Sequence, residues 1–168
     1  MTKTVIDREA LVAPAEIRAL FEYDSKTGVL KWRIPDRVAG SLHGKGYLRV
    51  KIHGVSFMAH RVAWAHYYGS WPVPWPIGEV DHWDGDKANN RIKNLRDVTR
   101  KINSQNRREA RSGTSGHIGV SKRRGDIKFR AFIRVDGKQK YLGRFNLEED
   151  AATAYLQAKR KYHEGCTI

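Results

Sequence analysis

Apolar positions along the chain change period several times, and each change marks an element. Pro14 stands where a first helical residue tolerates its missing N–H. An Ile17, Leu20, Phe21 stripe follows, which predicts a helix of about two turns. Asp24 to Gly28 is turn material, and Val29, Leu30 and Trp32 predict a strand. Tyr47, Arg49 and Lys51 then alternate with Leu48, Val50 and Ile52, and His53-Gly54 marks a hairpin turn before Val55 to Met58. From about His60 to Tyr68 the spacing becomes helical, with Val62, Ala63, Ala65 and His66 on neighbouring faces and Gly69 as the stop. Pro72, Pro74 and Pro76 predict a stiff extended connection.

The central segment is polar and rich in asparagine. A short strand is expected to end at Asp81-His82. Residues 84–94 read as a loop held by side-chain hydrogen bonds, and Leu95 to Val98 as the returning strand. Thr99 is placed to cap a helix starting near Arg100, with Asn103 and Asn106 three apart on one face. Residues 108–115 have almost no apolar content and read as a linker.

The last segment, 116–168, reads as three strands and a helix. Ile118 to Ser121 predicts the first strand. Phe129, Ala131, Ile133 and Val135 alternate with Lys128, Arg130, Phe132 and Arg134 in the second, and Asp136-Gly137 is a two-residue hairpin signal. On the return strand the period places Tyr141, Gly143 and Phe145 on one face and Lys140, Leu142 and Arg144 on the other. Asn146 is the expected helix cap, with Glu149 at the capping-box position. Ala151, Ala154, Tyr155, Ala158 and Tyr162 form the apolar side of that helix, which Gly165 stops.

Charge adds a partner to this outline. The 168 residues carry 32 Lys and Arg against 18 Asp and Glu, a net charge of +14, which fits a polyanion. Residues 101–168 hold 16 of the basic and 7 of the acidic side chains, a net +9. Their sheet would present one face to a helix and one basic face, slim enough for a DNA major groove. The candidate contacts there are Lys122, Arg123, Arg124, Lys128, Arg130, Arg134, Lys138, Lys140 and Arg144, with Arg107 and Arg108 in or beside the linker. The rival reading of each is a solvated surface charge. Cys166 is the only cysteine, so neither an internal disulfide nor a cysteine-rich zinc cluster is available. No apolar run approaches a membrane span, and the polar start is unlike a signal peptide; an intracellular protein without a membrane partner is the expectation.

Asp81 and His82 are the candidate chemistry. Phosphodiester hydrolysis requires a water nucleophile, a base and a cation. Imidazole titrates near neutrality, and a carboxylate with an amide carbonyl offers hard oxygen ligands for a magnesium-like ion. The bland alternatives are that Asp81 caps a turn and His82 orders a core hydrogen bond. Asp84-Gly85-Asp86 resembles the start of a calcium loop, but the glutamate such a loop requires is missing.

The ordered set Asp81-His82, Asn90, Asn94-Leu95-Arg96, Asn103 and Asn106 resembles the HNH motif of phage and intron-encoded homing endonucleases, the ββα-metal fold. That resemblance covers residues 58–107 and includes the His60-Arg61 helix start. It implies His82 as general base, Asp81 and Asn103 as ligands of one Mg²⁺ or Mn²⁺ ion, and Asn94 as the brace that orients the base. Arg91 and Arg96 become candidate phosphate contacts. Phe21 to Asp24, Thr27-Gly28, Leu30 to Trp32 and Gly46-Tyr47 resemble the amino-terminal region often attached to these nucleases. Gly119-Val120, Arg130-Ala131, Tyr141 to Phe145 and Glu149 to Tyr155 resemble the plant ethylene-response-factor DNA-binding domain, without the tryptophans that family uses.

The expectation is an α+β chain with four parts. An N-terminal module spans residues 1–57, a ββα-metal HNH nuclease core 58–107, a linker 108–115, and a three-stranded antiparallel sheet plus one helix 116–168. It implies a divalent-metal-dependent, homing-type endonuclease acting on double-stranded DNA as a monomer or weak dimer. The rivals are a non-catalytic DNA-binding regulator on the same modules and a basic RNA-binding structural protein.

Overall fold

The computed structural model describes residues 8–74, 77–108 and 115–168. Most of the expected linker and the end of the proline-rich connection lie outside these residues. The chain divides into two compact units, Met1–Arg100 and Lys101–Ile168.

In the first unit α1 (Pro14–Leu20) begins at the expected proline and ends one residue before the stripe does. Phe21 instead opens β1 (Phe21–Asp24), which pairs antiparallel with β2 (Val29–Trp32); β3 (Arg37–Val38) adds an edge. A second sheet joins β4 (Ser41–His43), β5 (Tyr47–Ile52) and β6 (Val55–Met58). Its β5–β6 turn holds His53 and Gly54 at φ 47° and 80°, the left-handed pair that a two-residue hairpin requires. Next, α2 (Ala59–Tyr68) is closed by Gly69 at φ 75°, and Arg18 donates to the carbonyls of His66 (2.7 Å) and Tyr67 (3.1 Å) at its end. The strands β7 (Gly78–His82) and β8 (Leu95–Thr99) then pair antiparallel, with Asp81 opposite Arg96 and His82 opposite Leu95.

One apolar cluster runs through this unit. Ile17 and Phe21, Leu30, Val50 and Ile52, Val62 and Ala65, and Val80 and Leu95 are all buried in it. The N-terminal elements therefore share a core with the strands that carry the central motif. Polar ties reinforce this. Arg61 forms a two-point ion pair with Glu9, and the Trp71 indole donates to the Val12 carbonyl at 2.9 Å.

Helix α3 (Arg100–Gln105) follows β8, and Asn106 lies just past its end. In the second unit β9 (Val120–Lys122), β10 (Phe129–Val135) and β11 (Lys138–Phe145) form the expected antiparallel sheet in the order β11-β10-β9. Helix α4 (Glu148–Tyr162) buries Ala151, Tyr155 and Ala158. It starts after Leu147 with no side-chain cap, so Asn146 is not the cap; Glu148, Glu149 and Asp150 place negative charge in the first turn instead.

The expected two faces of β11 need correction. Ala131 pairs with Gly143 but Phe132 pairs with Tyr141, so Leu142 is an extra residue and the pattern slips there. Leu142 joins Phe145 in the apolar clusters, while Tyr141 is 56% exposed. No described helix is long and apolar enough to cross a membrane.

Gly28 shows how tightly the first unit is assembled. Its φ is +79°, and an added Cβ would lie 2.5 Å from Arg91 N and 2.6 Å from Asn90 C. Gly54, at φ +80°, has open space around it. Both Gly→Ala variants suffer the left-handed strain, about 1 kcal/mol. Gly28→Ala is expected to lose about 1–3 kcal/mol more, from overpacking. Urea unfolding of the two variants measures the difference, and equal losses would contradict the close docking at Gly28.

Candidate active site

The site is built on the end of β7 and the loop 83–94. This loop has no ladder to satisfy its backbone, and Asn94 does that work. The Asn94 Oδ1 accepts from Asp84 N at 3.0 Å, and its Nδ2 donates to Asp84 Oδ1 (2.9 Å) and to the Asn89 carbonyl (2.8 Å). The Trp83 amide donates to the Asn94 carbonyl at 2.8 Å, closing the loop at its base. Asp84 also receives Asn89 Nδ2 and the Asp86 amide. Partial burial works against its ionisation, but the bonds from Asn89, Asn94 and Asp86 hold its carboxyl below the ordinary value.

His82 is buried at 4% exposure, and its Nε2 lies 3.1 Å from Asn90 Oδ1. An amide oxygen can only accept, so Nε2 carries the proton and Nδ1 the lone pair. Asn90 is itself fixed, because Tyr23 in β1 donates to its carbonyl at 2.6 Å. Thus Asn94 braces the loop, and Asn90 supplies the hydrogen bond to His82. Asn90 was legible as part of the motif but carried no separate role in the sequence.

Two rings frame His82 from distant parts of the chain. His60, in the first turn of α2, meets it edge-on at 5.0 Å between centroids, and Tyr47 of β5 lies 6.0 Å away. Both residues stand within the sequence resemblances, in His60-Arg61 and Gly46-Tyr47, but neither was assigned a role at the site, because contacts across such separations cannot be read from sequence. Burial pushes His82 below the ordinary histidine value, against the opposing pull of Asn90 and of Asp81, Asp84 and Asp86. Burial holds His60 well below it too, aided by His82 and Arg61. Both rings are therefore neutral at pH 7. Burial, with Asp81 and Glu79, raises the Tyr47 phenol.

Asp81 is buried at 6% exposure and pairs with Arg96 from the facing strand. The Arg96 guanidinium also stands over the Trp83 ring, 4.6 Å from its centroid. Among the described residues there is no group of three or more His, Cys, Asp and Glu side chains placed to hold a metal ion. The donor chemistry still suits a hard cation, since magnesium-like ions commonly take one or two protein oxygens and complete their shell with water and phosphate. Asn103, the other expected ligand, lies in α3.

The expected DNA contacts sit in varied settings. Arg91 donates to the Lys26 carbonyl (2.9 Å) and to Asn89 Oδ1 (3.3 Å), tying the loop to the β1–β2 turn. Arg107 offers its carbonyl to Lys159, and Arg108 donates to Thr167 at 2.7 Å. Arg123, Arg124 and Lys128 are exposed between β9 and β10. Asp126 gathers Arg130 and Arg144 (2.9 Å to the latter), beside the Phe132–Tyr141 ring pair. Arg134, two residues on from Phe132, is exposed. Lys140 is opposite the buried Ile133 and bonds Tyr162 of α4, while Lys122 covers Phe129. Those two lysines therefore lie on the helix side of the sheet, not with the arginines of its open face.

The HNH endonuclease family profile matches residues 57–105. Protein 3.8 of Escherichia phage T7 is 33% identical over 84 residues, which is 50% of this chain and 69% of that protein. A structure of the HNH homing endonuclease I-HmuI, described for its DNA binding and cleavage, is 21% identical with a TM-score of 0.42. The match covers 86% of this chain and 88% of that one. In chain order β7, β8 and α3 make an HNH-like ββα core, preceded by a small α+β module and followed by a three-stranded antiparallel sheet with one helix.

The depressed His60 gives a stability test with a definite sign. As pH falls below 6.5, the unfolded chain takes up a proton that the folded His60 resists. Stability is full above that value and is lost as pH falls from it through the folded pKa. Unfolding free energies of metal-free protein at about pH 7.5 and about pH 5.5 are expected to differ, and His60→Phe to reduce that difference. An undiminished pH effect in the variant would contradict the burial of a neutral His60.

Proposed function

Because the chain belongs to the HNH endonuclease family, we propose that it hydrolyses phosphodiester bonds of double-stranded DNA as a divalent-cation-dependent, homing-type enzyme. The observation that carries this reading is the buried His82, its Nε2 turned to Asn90, beside the Asp81 carboxylate at the end of β7.

His82 is the general base. Its Nδ1 lone pair takes a proton from water as the water oxygen attacks phosphorus, the bond from phosphorus to the 3′-oxygen breaks, and that oxygen takes a proton from solvent. The products carry 5′-phosphate and 3′-hydroxyl ends. Burial of the ring keeps it unprotonated at pH 7, and the Asn90 bond becomes stronger as positive charge develops on the imidazole. Asn94 acts on catalysis through the loop, by fixing where the base stands.

Asp81 and Asn103 are the residues that would hold a Mg²⁺ or Mn²⁺ ion, the share of Asn103 resting on motif order alone. A cation bound there would supply electrostatic stabilisation of the charge that develops on the phosphate and the departing oxygen. Arg96 pairs with the buried Asp81 carboxylate and is proposed as a contact to a backbone phosphate. Arg91 has a structural tie to Lys26 and lies at the rim of the loop.

The C-terminal unit is the proposed second DNA contact. Arg130, Arg134 and Arg144 with Phe132 and Tyr141 on its open sheet face support that reading. Residues 1–57, 58–107 and 116–168 then divide the work between support, cleavage and binding, joined by 108–115. A monomer with one such site cuts one strand at a time, and a dimer or a sequential second nick is needed for a double-strand break.

Conversion of supercoiled DNA to nicked and linear forms tests the reading. Wild-type protein is expected to nick with Mg²⁺ and not with chelator, and His82→Ala to lose about 10²–10⁴-fold in rate while still binding DNA. Wild-type rates in His82→Ala would reject the base, and chelator-resistant nicking would reject the cation. Tight, salt-sensitive binding without cleavage by either protein would leave a DNA-binding regulator. A second test concerns the cation: Asp81→Ala is expected to shift the Mg²⁺ titration or abolish activity, and an unchanged titration would reject Asp81 as a ligand.

A further inference from the structure

Neither Tyr47 nor Lys87 has a part in the chemistry above, yet together they make a charged shelf beside the base. Tyr47 opens β5 and is half-buried; its ring lies 5.6 Å from the His60 ring and 6.0 Å from that of His82. Lys87 rises from the middle of the loop 83–94, with its ammonium 5.6 Å from the centroid of the same Tyr47 ring. Its stem passes Gly46, where an added Cβ would stand 3.9 Å from Lys87 Cδ. The adjoining corner between β4 and β5 is exposed and carries Lys45 at φ 70°, a left-handed conformation that a side chain rarely adopts.

These contacts constrain what Lys87 can do. The ammonium forms no ion pair among the described residues, although Asp84 and Asp86 are close in sequence. A lysine on an aromatic face has lost part of its rotamer freedom already, so it meets an anion at lower entropic cost. The two ring distances put the ammonium within about 12 Å of the His82 ring centre, the span of three to four nucleotides at the 3.4 Å rise per strand. A polyanion that runs from His82 toward Tyr47 would meet this shelf within that span.

We propose that Lys87, carried on the Tyr47 ring, is a substrate-positioning residue that grips a DNA backbone phosphate close to the one hydrolysed. This makes the N-terminal sheet part of the substrate cradle, and it rests on the hydrolytic reading of His82.

The test separates the two claims. Binding of a labelled duplex to full-length His82→Ala protein in chelator, over a salt series, requires no cleavage. Adding Lys87→Ala is expected to lower the slope of log affinity against log salt by about one. Lys87→Arg should retain the slope. Tyr47→Phe keeps the shelf and should match the parent, whereas Tyr47→Leu should reproduce part of the Lys87→Ala loss. Lys31→Ala, which removes an exposed lysine from β2 in the other N-terminal sheet, controls for net charge. In the active protein, Lys87→Ala should raise KM several-fold with kcat nearly unchanged, the mark of a lost binding contact. Thermal melts confirm that each variant folds. An unchanged slope for Lys87→Ala, or an equal change for Lys31→Ala, would overturn the proposal. If the wild type binds with the expected slope change but never nicks, the hydrolytic reading fails and the phosphate contact stands.

Discussion

A chain that leaves one strand and returns on the next must still satisfy every buried backbone group between them. Between β7 and β8 the ladder stops at His82, and side-chain amides take its place. Asn94 alone makes three hydrogen bonds across the loop, to Asp84 twice and to the Asn89 carbonyl. Leaving a buried polar group unmatched costs about 1–3 kcal/mol, and truncating Asn94 would break all three part-buried bonds at once, each at a smaller cost. The position of His82 depends on this loop, because Asn90, which holds its ring nitrogen, is part of it.

The rest of the first unit supports the same segment. Tyr23 reaches the Asn90 carbonyl, Ile92 donates to the Ser25 carbonyl, and Gly28 lies where no side chain would fit against Asn90 and Arg91. From the other side α2 presents His60 and β5 presents Tyr47. The same packing sets the electrostatics. Three carboxylates draw His82 toward its charged form, and burial outweighs them. A base that is neutral, oriented and close to a carboxylate emerges from structural demands that are individually ordinary.

Local order was readable wherever a single segment decides it. The His53-Gly54 and Asp136-Gly137 turns, the Gly69 stop and the paired strands of the central motif follow from short-range chemistry. Phe21 was less legible: its spacing continues the α1 stripe, but pairing with Trp32 makes it a strand residue. The slip at Leu142 was hidden because a bulge keeps composition and breaks only the register. Asn146 looked like a cap, yet the helix begins after Leu147. At the site, Asp81, His82 and Asn94 stood out by type and order. The arrangement that completes it, Tyr47 and His60 around the ring, Asn90 on its nitrogen and Arg96 on Asp81, is made by the folded core and has no local pattern.

The central claim is that the loop holds His82 as a neutral imidazole with its proton on Nε2. Long-range proton–nitrogen correlation NMR of the metal-free protein at about pH 7, with His82 assigned by comparison with His82→Gln, reads that tautomer directly. Nε2 is expected to be protonated and Nδ1 unprotonated, with Asn90→Ala weakening that preference. A ring protonated on Nδ1 alone, or on both nitrogens, would contradict it.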